Sequence, residues 1–162
     1  KYKEIDAISV DIDSFDYYIL EKVITLQPKM IIIEVNEDVP PGITYAAKYK
    51  KNFSYDAGVT KNYGCSLDAV TALGDKHGFK LLRMDWNNAI LIREDLSPMF
   101  DLPSSNKEAY SDGYYNREGR EKIFYWKGFD AKCFEMPLEE AYEFLLDWYK
   151  DDLDDMVFEL TT

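Results

Sequence analysis

Residues 5–36 hold two strongly apolar runs separated by a spacer of helical length, and this arrangement limits what the chain can fold into. The first run, 5–12, is rich in β-branched residues and leads into Asp11 and Asp13; the second, 30–35, carries Glu34 and is followed by Asn36. Between them, Tyr17, Leu20, Val23 and Ile24 recur at near-helical spacing within 14–25. Strand, helix, strand is the pattern of a βαβ unit in a parallel sheet buried on both faces, because parallel neighbours need a crossover of about a dozen residues or more. In open α/β sheets the carboxyl ends of the strands form the ligand crevice. Both polar clusters fall at such ends, so one site is expected there.

The helix is expected to start with Asp13 or Ser14 as its N-cap and to stop before Pro28, which disfavours helical geometry at Gln27. Residues 37–63 follow with Pro40-Pro41-Gly42 and then Tyr45, Tyr49, Phe53, Tyr55 and Tyr63 among lysines. So long a connection suits a functional lid or an insert, and a short helix is expected at 45–51. Cys65 or Ser66 caps the next helix, which runs to His77 and is stopped by Gly78. Residues 79–84 and 89–92 have strand character, and the turn residues between them make them antiparallel neighbours.

Beyond Ser97-Pro98 the character changes. Residues 103–122 suit a loop with a helical turn, and 123–129 form an aromatic stretch that fits no single element. Pro137 opens an amphipathic helix through Leu138, Ala141, Tyr142, Leu145, Trp148 and Tyr149. The expected division is therefore an α/β part, 1–96, and a helical or irregular C-terminal appendage, 97–162, packed on it.

With 162 residues, 46% of them hydrophobic, the chain can bury a sizeable core. Its net charge of −12 excludes nucleic acid and anionic membrane surfaces as partners, since both would be repelled. No apolar run reaches the roughly 18 to 20 residues of a membrane span, so a cytoplasmic protein is expected. Cys65 and Cys133 suit neither a zinc motif nor a disulfide framework. His77, the one histidine, is explained by its place at a helix end. Cys65 is explained as a packed or capping residue, with no triad around it.

The blocks DAISVDIDSFDYYIL, KMIIIEVNEDVPPG, GCSLDAVTALGDKHGFKLL and NAILIRED, in this order, resemble the C-terminal half of FkbM-like, S-adenosylmethionine-dependent methyltransferase domains. The resemblance covers residues 4–96. It implies a partial Rossmann-like sheet of three parallel strands and one antiparallel strand, in the spatial order first, second, fourth, third. It also implies a fragment of a methyltransferase that acts on an oxygen or nitrogen of a small acceptor, a saccharide or secondary metabolite. Ser14-Phe15 stands where relatives carry Gly-Asn, and no two glycines are spaced as G-x-G, the turn that cradles the cofactor in such folds. The chain alone is therefore expected to bind S-adenosylmethionine weakly and to be inactive. The alternative is a non-catalytic interaction module of the same fold.

Asp11, Asp13, Glu34 and Asn36 are expected to converge, where they can hold a divalent cation, orient a substrate hydroxyl or accept its proton. Asp13 and Glu34 are the candidate catalytic residues, Asp11, Asp13 and Glu34 the candidate metal ligands, and Asn36, Tyr45 and Tyr63 the candidate substrate contacts. The competing explanation makes Asp13 a helix cap, pairs Asp11 with a lysine and leaves Glu34 solvated. The loop tyrosines line an acceptor pocket or only pack the loop down. A first strand without its usual neighbour is a template for association, so a homodimer is expected.

Overall fold

The computed structural model describes residues 4–56, 60–123 and 132–161. Strand β1 (Ala7–Val10) leads into helix α1 (Asp16–Val23), which tightens into a 3-10 turn at Ile24–Leu26. Gln27, in left-handed geometry at φ +52°, ends it before Pro28. Strand β2 (Met30–Glu34) then lies parallel to β1, with Ala7 opposite Met30 and Val10 opposite Ile33. Helix α2 (Leu67–Lys76) is capped by the Ser66 hydroxyl, which accepts from the Ala69 amide. Gly78, at φ +75°, turns the chain into β4 (Phe79–Asp85). Trp86 and Asn87 make the hairpin turn to β5 (Asn88–Arg93), and Trp86 takes the positive φ that such turns require at their first position.

The result is a mixed α/β fold. Its main sheet has the order β1-β2-β5-β4, the expected order, with β5 antiparallel to both neighbours. The register aligns Ile8, Ile31, Leu91 and Leu81 in one row and Val10, Ile33, Ala89 and Met84 in the next. Both rows pack with Leu20 and Ile24 of the first crossover and with Val70 and Leu73 of α2. The opposite face begins at Ala7 and Ser9, which are exposed. Burial of β1 on both faces is thus not observed, because the helices lie on one side of it, and among the described residues its outer edge has no strand partner. The strand is also shorter than the expected 5–12.

The long connection departs most from expectation. Instead of a helix at 45–51 it forms β3 (Ile43–Ala47), which pairs with β6 (Met156–Leu160) in a second, two-stranded antiparallel sheet. The appendage is therefore not only helical. After β5 come α3 (Asn106–Tyr110), a π-helical turn at Ser111–Tyr115, α4 (Arg120–Ile123) and α5 (Leu138–Trp148). A second core joins Val39, Ile43 and Tyr45 from the connection to Ala141, Leu145, Tyr149 and Met156 from the appendage. The π turn sits hard against β4: a Cβ on Gly113 would lie 2.3 Å from the Met84 carbonyl oxygen, so only glycine fits there. The aromatic stretch 123–129 falls, from 124 on, outside the described residues. Among those described, no helix is long and apolar enough to cross a membrane.

Asp68, in the first turn of α2, ties these layers together. Its buried carboxylate accepts from the Gly42 amide at 2.5 Å, from the Thr161 hydroxyl at 2.9 Å and from the Asn106 side-chain amide at 2.5 Å. Three distant segments are thereby held to one helix. Bonds of this kind to a charged group contribute about 1.5 to 3 kcal/mol each, without being additive. Asp68→Ala is expected to lower stability by about 3 kcal/mol in urea unfolding; a loss under about 0.5 kcal/mol, the range of ordinary surface changes, would contradict this role.

Candidate functional site

The carboxyl ends of β1 and β2 lie side by side because the strands are parallel. Past β1 the chain makes a tight turn that carries Asp11 and Asp13, with Asp13 in left-handed geometry at φ +53°. Asp16 fixes this turn from inside. Its fully buried carboxylate accepts from the amides of Ile12 at 2.9 Å and Ser14 at 3.1 Å. Burial raises the pKa of Asp16, while these same amide bonds oppose the rise. The Ser14 carbonyl in turn accepts from the Gly64 amide at 2.7 Å. The expected capping role of Asp13 or Ser14 is not observed: Phe15 is the N-cap of α1, and no side chain caps that helix.

Glu34, the last residue of β2, faces this turn. One of its carboxylate oxygens accepts from the Asn87 side-chain amide at 2.7 Å, and Asn87 is held by the Val35 amide, which donates to its carbonyl at 2.7 Å. The other oxygen, Oε2, is buried without a hydrogen-bond partner. Asp11, Asp13 and Glu34 each present a carboxylate oxygen within 4.8 Å of the others. Asp11 and Asp13 are exposed and Glu34 is half-buried. Among the described residues no lysine or arginine pairs with any of the three. Neither the capping nor the ion-pair explanation of the cluster therefore applies.

Burial pushes the Glu34 carboxyl up to about 8, helped by the negative charges of Asp11, Asp13, Asp16 and Glu37. At neutral pH it carries a proton that an arriving cation would displace. Oxygen ligands this close suit a hard divalent cation, and the charge repulsion they suffer without one favours such binding.

The other expected site residues are placed elsewhere. Asn36 is buried, and its side-chain amide donates to the Tyr63 carbonyl at 3.3 Å and to the Tyr149 hydroxyl at 3.4 Å. Tyr45 is fully buried, its hydroxyl proton is shared between Asn62 Oδ1 and the Tyr63 carbonyl, each 3.0 Å from the oxygen, and its ring stacks on Tyr149. Tyr63 is buried against Tyr55. These residues knit the long connection to α5 and do not form an open acceptor surface. Asn87, from its sequence only a turn residue, orients Glu34, and Asp16, from its sequence only an acid at the positive end of a helix, shapes the acidic turn. Cys65 is inaccessible, its thiol pushed well up first by burial and then by the charges of Asp16 and Glu34, so it is no nucleophile. His77 is the C-cap of α2, and its carbonyl accepts from Gln27 Nε2.

No protein-family model, curated protein or solved structure matches the chain.

The raised pKa of Glu34 has a defined sign. Between its ordinary value of 4.5 and about 8, the folded state keeps a proton that the unfolded state has lost. Its contribution to stability is full below the lower value, falls as pH rises through the window and is gone above the upper one. Glu34→Gln keeps the acceptor for Asn87 and removes the titration. Melting temperatures from pH 5 to 9 are expected to fall less with pH in this variant than in the wild type; parallel curves would show that Glu34 titrates normally.

Proposed function

We propose that the chain is the acceptor-side part of an S-adenosylmethionine-dependent methyltransferase-like domain, in which Asp11, Asp13 and Glu34 hold a divalent cation beside a small acceptor. The convergence of these three carboxylates at the ends of β1 and β2 carries the reading. The strand order β1-β2-β5-β4, with three strands parallel and β5 reversed, supports it as the arrangement implied by the resemblance of residues 4–96 to FkbM-like domains. Such a cation would polarise an acceptor oxygen and hold it for in-line transfer. Asp16 and Asn87 keep the ligand oxygens in place, as supporting residues around metal sites do. Asp13 or Glu34 can also accept the acceptor's proton, Glu34 only once it has lost its own.

The residues present do not fit the methyl donor. No glycines are spaced to bring backbone amides onto a nucleotide cofactor, so no step through it is assigned to this chain. That departure favours the second reading, a non-catalytic interaction module. The two differ at the carboxylates, which the module has no use for.

Millimolar Mg²⁺, Mn²⁺ or Ca²⁺ is expected to raise the melting temperature, more at pH 8.5 than at pH 6.5, because the cation competes with the Glu34 proton. Asp13→Asn should abolish the gain. Unchanged melting curves across all three ions would remove the cation from the proposal and favour the module. In calorimetry, S-adenosylmethionine is expected to bind this chain more weakly than about 100 μM; micromolar affinity would overturn the placement of the cofactor site outside it.

We also propose that the outer edge of β1, which has no strand partner among the described residues, pairs with a second copy in a homodimer. Light scattering at micromolar concentration checks this, and a monomer there refutes it.

A further inference from the structure

Phe15, which follows the acidic turn in the chain, lines a cleft of about 210 Å³. It opens between α1 and the segments on either side of the β3–β6 sheet, and it differs in charge from the rest of the molecule. Three lysines, Lys48, Lys50 and Lys61, line it against two aspartates, Asp152 and Asp155, in a protein of net charge −12. Lys50 is paired with Asp155 at 2.8 Å. Lys48 and Lys61 are different. The Lys48 ammonium donates to the Asp154 main-chain carbonyl at 3.1 Å, and that of Lys61 sits 4.0 Å from the centre of the Trp148 ring. Both contacts hold the cation in place without neutralising it, and among the described residues neither lysine has a carboxylate partner.

The apolar side of the cleft is formed by Phe15 and Phe53, whose ring centroids are 5.0 Å apart at a 54° tilt. Thr60 also lines it. Its oxygen accepts from the Asp56 amide at 2.9 Å, which leaves its hydroxyl proton able to donate to a ligand. Two ammonium groups without an ion-pair partner, against which Asp152 sets one negative charge, and a hydroxyl donor beside a pair of rings match an anionic, many-oxygened group attached to a flat or apolar ring. The volume lies below the roughly 300 to 1,000 Å³ of pockets for drug-sized ligands, so it suits a single ring rather than a dinucleotide.

We propose that this cleft binds the phosphate of a small phosphorylated ring compound, with Lys48, Lys61 and Thr60 taking the phosphate and Phe15 and Phe53 the ring. The site does not depend on a cation at Asp11, Asp13 and Glu34, nor on methyl transfer.

Calorimetric or NMR titration tests it with phenyl phosphate, inorganic phosphate, phenol and benzoate as separate probes, in EDTA so that no cation bridges ligand and protein. Phenyl phosphate is expected to bind more tightly than each of the other three. Lys48→Gln and Lys61→Gln, both at exposed side chains, should each weaken it about fivefold, the effect of one charge near 4 Å in water. Phe53→Ala should remove the advantage of phenyl phosphate over inorganic phosphate. Melting temperatures of the three variants establish that they are folded. Absence of saturable binding, unchanged affinity in both lysine variants, or equal affinity for benzoate would each overturn the phosphate assignment.

Discussion

The parallel pairing of β1 with β2 is the constraint on which the rest of this structure depends. A parallel pair cannot be closed by a hairpin, so α1 must carry the chain back across the sheet, and both strands then end on the same edge. Asp11 and Asp13 follow one strand and Glu34 closes the other, so the topology that packs Leu20 and Ile24 against the sheet also crowds three carboxylates. The fold accepts this repulsion because Asp16 and Asn87 hold the backbone and side chains around it in fixed positions. The proton on Glu34 relieves the repulsion when nothing else does.

The antiparallel hairpin at the other end of the sheet contributes to the same edge. With β5 reversed between β2 and β4, the Trp86-Asn87 turn falls beside the end of β2, within reach of Glu34. The turn is braced in its turn by the appendage: the Trp86 amide donates to the Gly113 carbonyl at 2.9 Å, and the Arg117 guanidinium lies over the Trp86 ring and pairs with Asp85. Residues far along the chain thus stiffen the support of the acidic site without touching it.

Two buried polar hubs perform the corresponding task for the connection after β2. Asp68 gathers Gly42, Asn106 and Thr161, and Asn36 gathers the Tyr63 carbonyl and the Tyr149 hydroxyl. Buried polar groups are costly unless satisfied, so such hubs select one arrangement of the loop and the appendage over others. That arrangement sets Lys48 and Lys61 at the cleft that Phe15 and Phe53 also line.

The local patterns of this chain were strong enough to determine much of the main sheet. Apolar periodicity marked β1, α1, β2 and α2; Ser66 and Gly78 marked the ends of α2; and the short turn at Trp86-Asn87 made β4 and β5 antiparallel. The convergence of Asp11, Asp13 and Glu34 was also legible, since it follows from parallel strands alone. Three things were decided only by tertiary structure. Residues 43–47 became a strand because β6, more than 100 residues later, offered them a partner that no local signal announces. Asn36, Tyr45 and Tyr63 went to the interior because α5 docked on them, and from their spacing they could equally have faced a ligand. The raised pKa of Glu34, and the absence of carboxylate partners for Lys48 and Lys61 among the described residues, depend on burial and on which charges are neighbours. Local sequence sets backbone preference and facing, whereas pairing partners and dielectric surroundings exist only once distant segments have met.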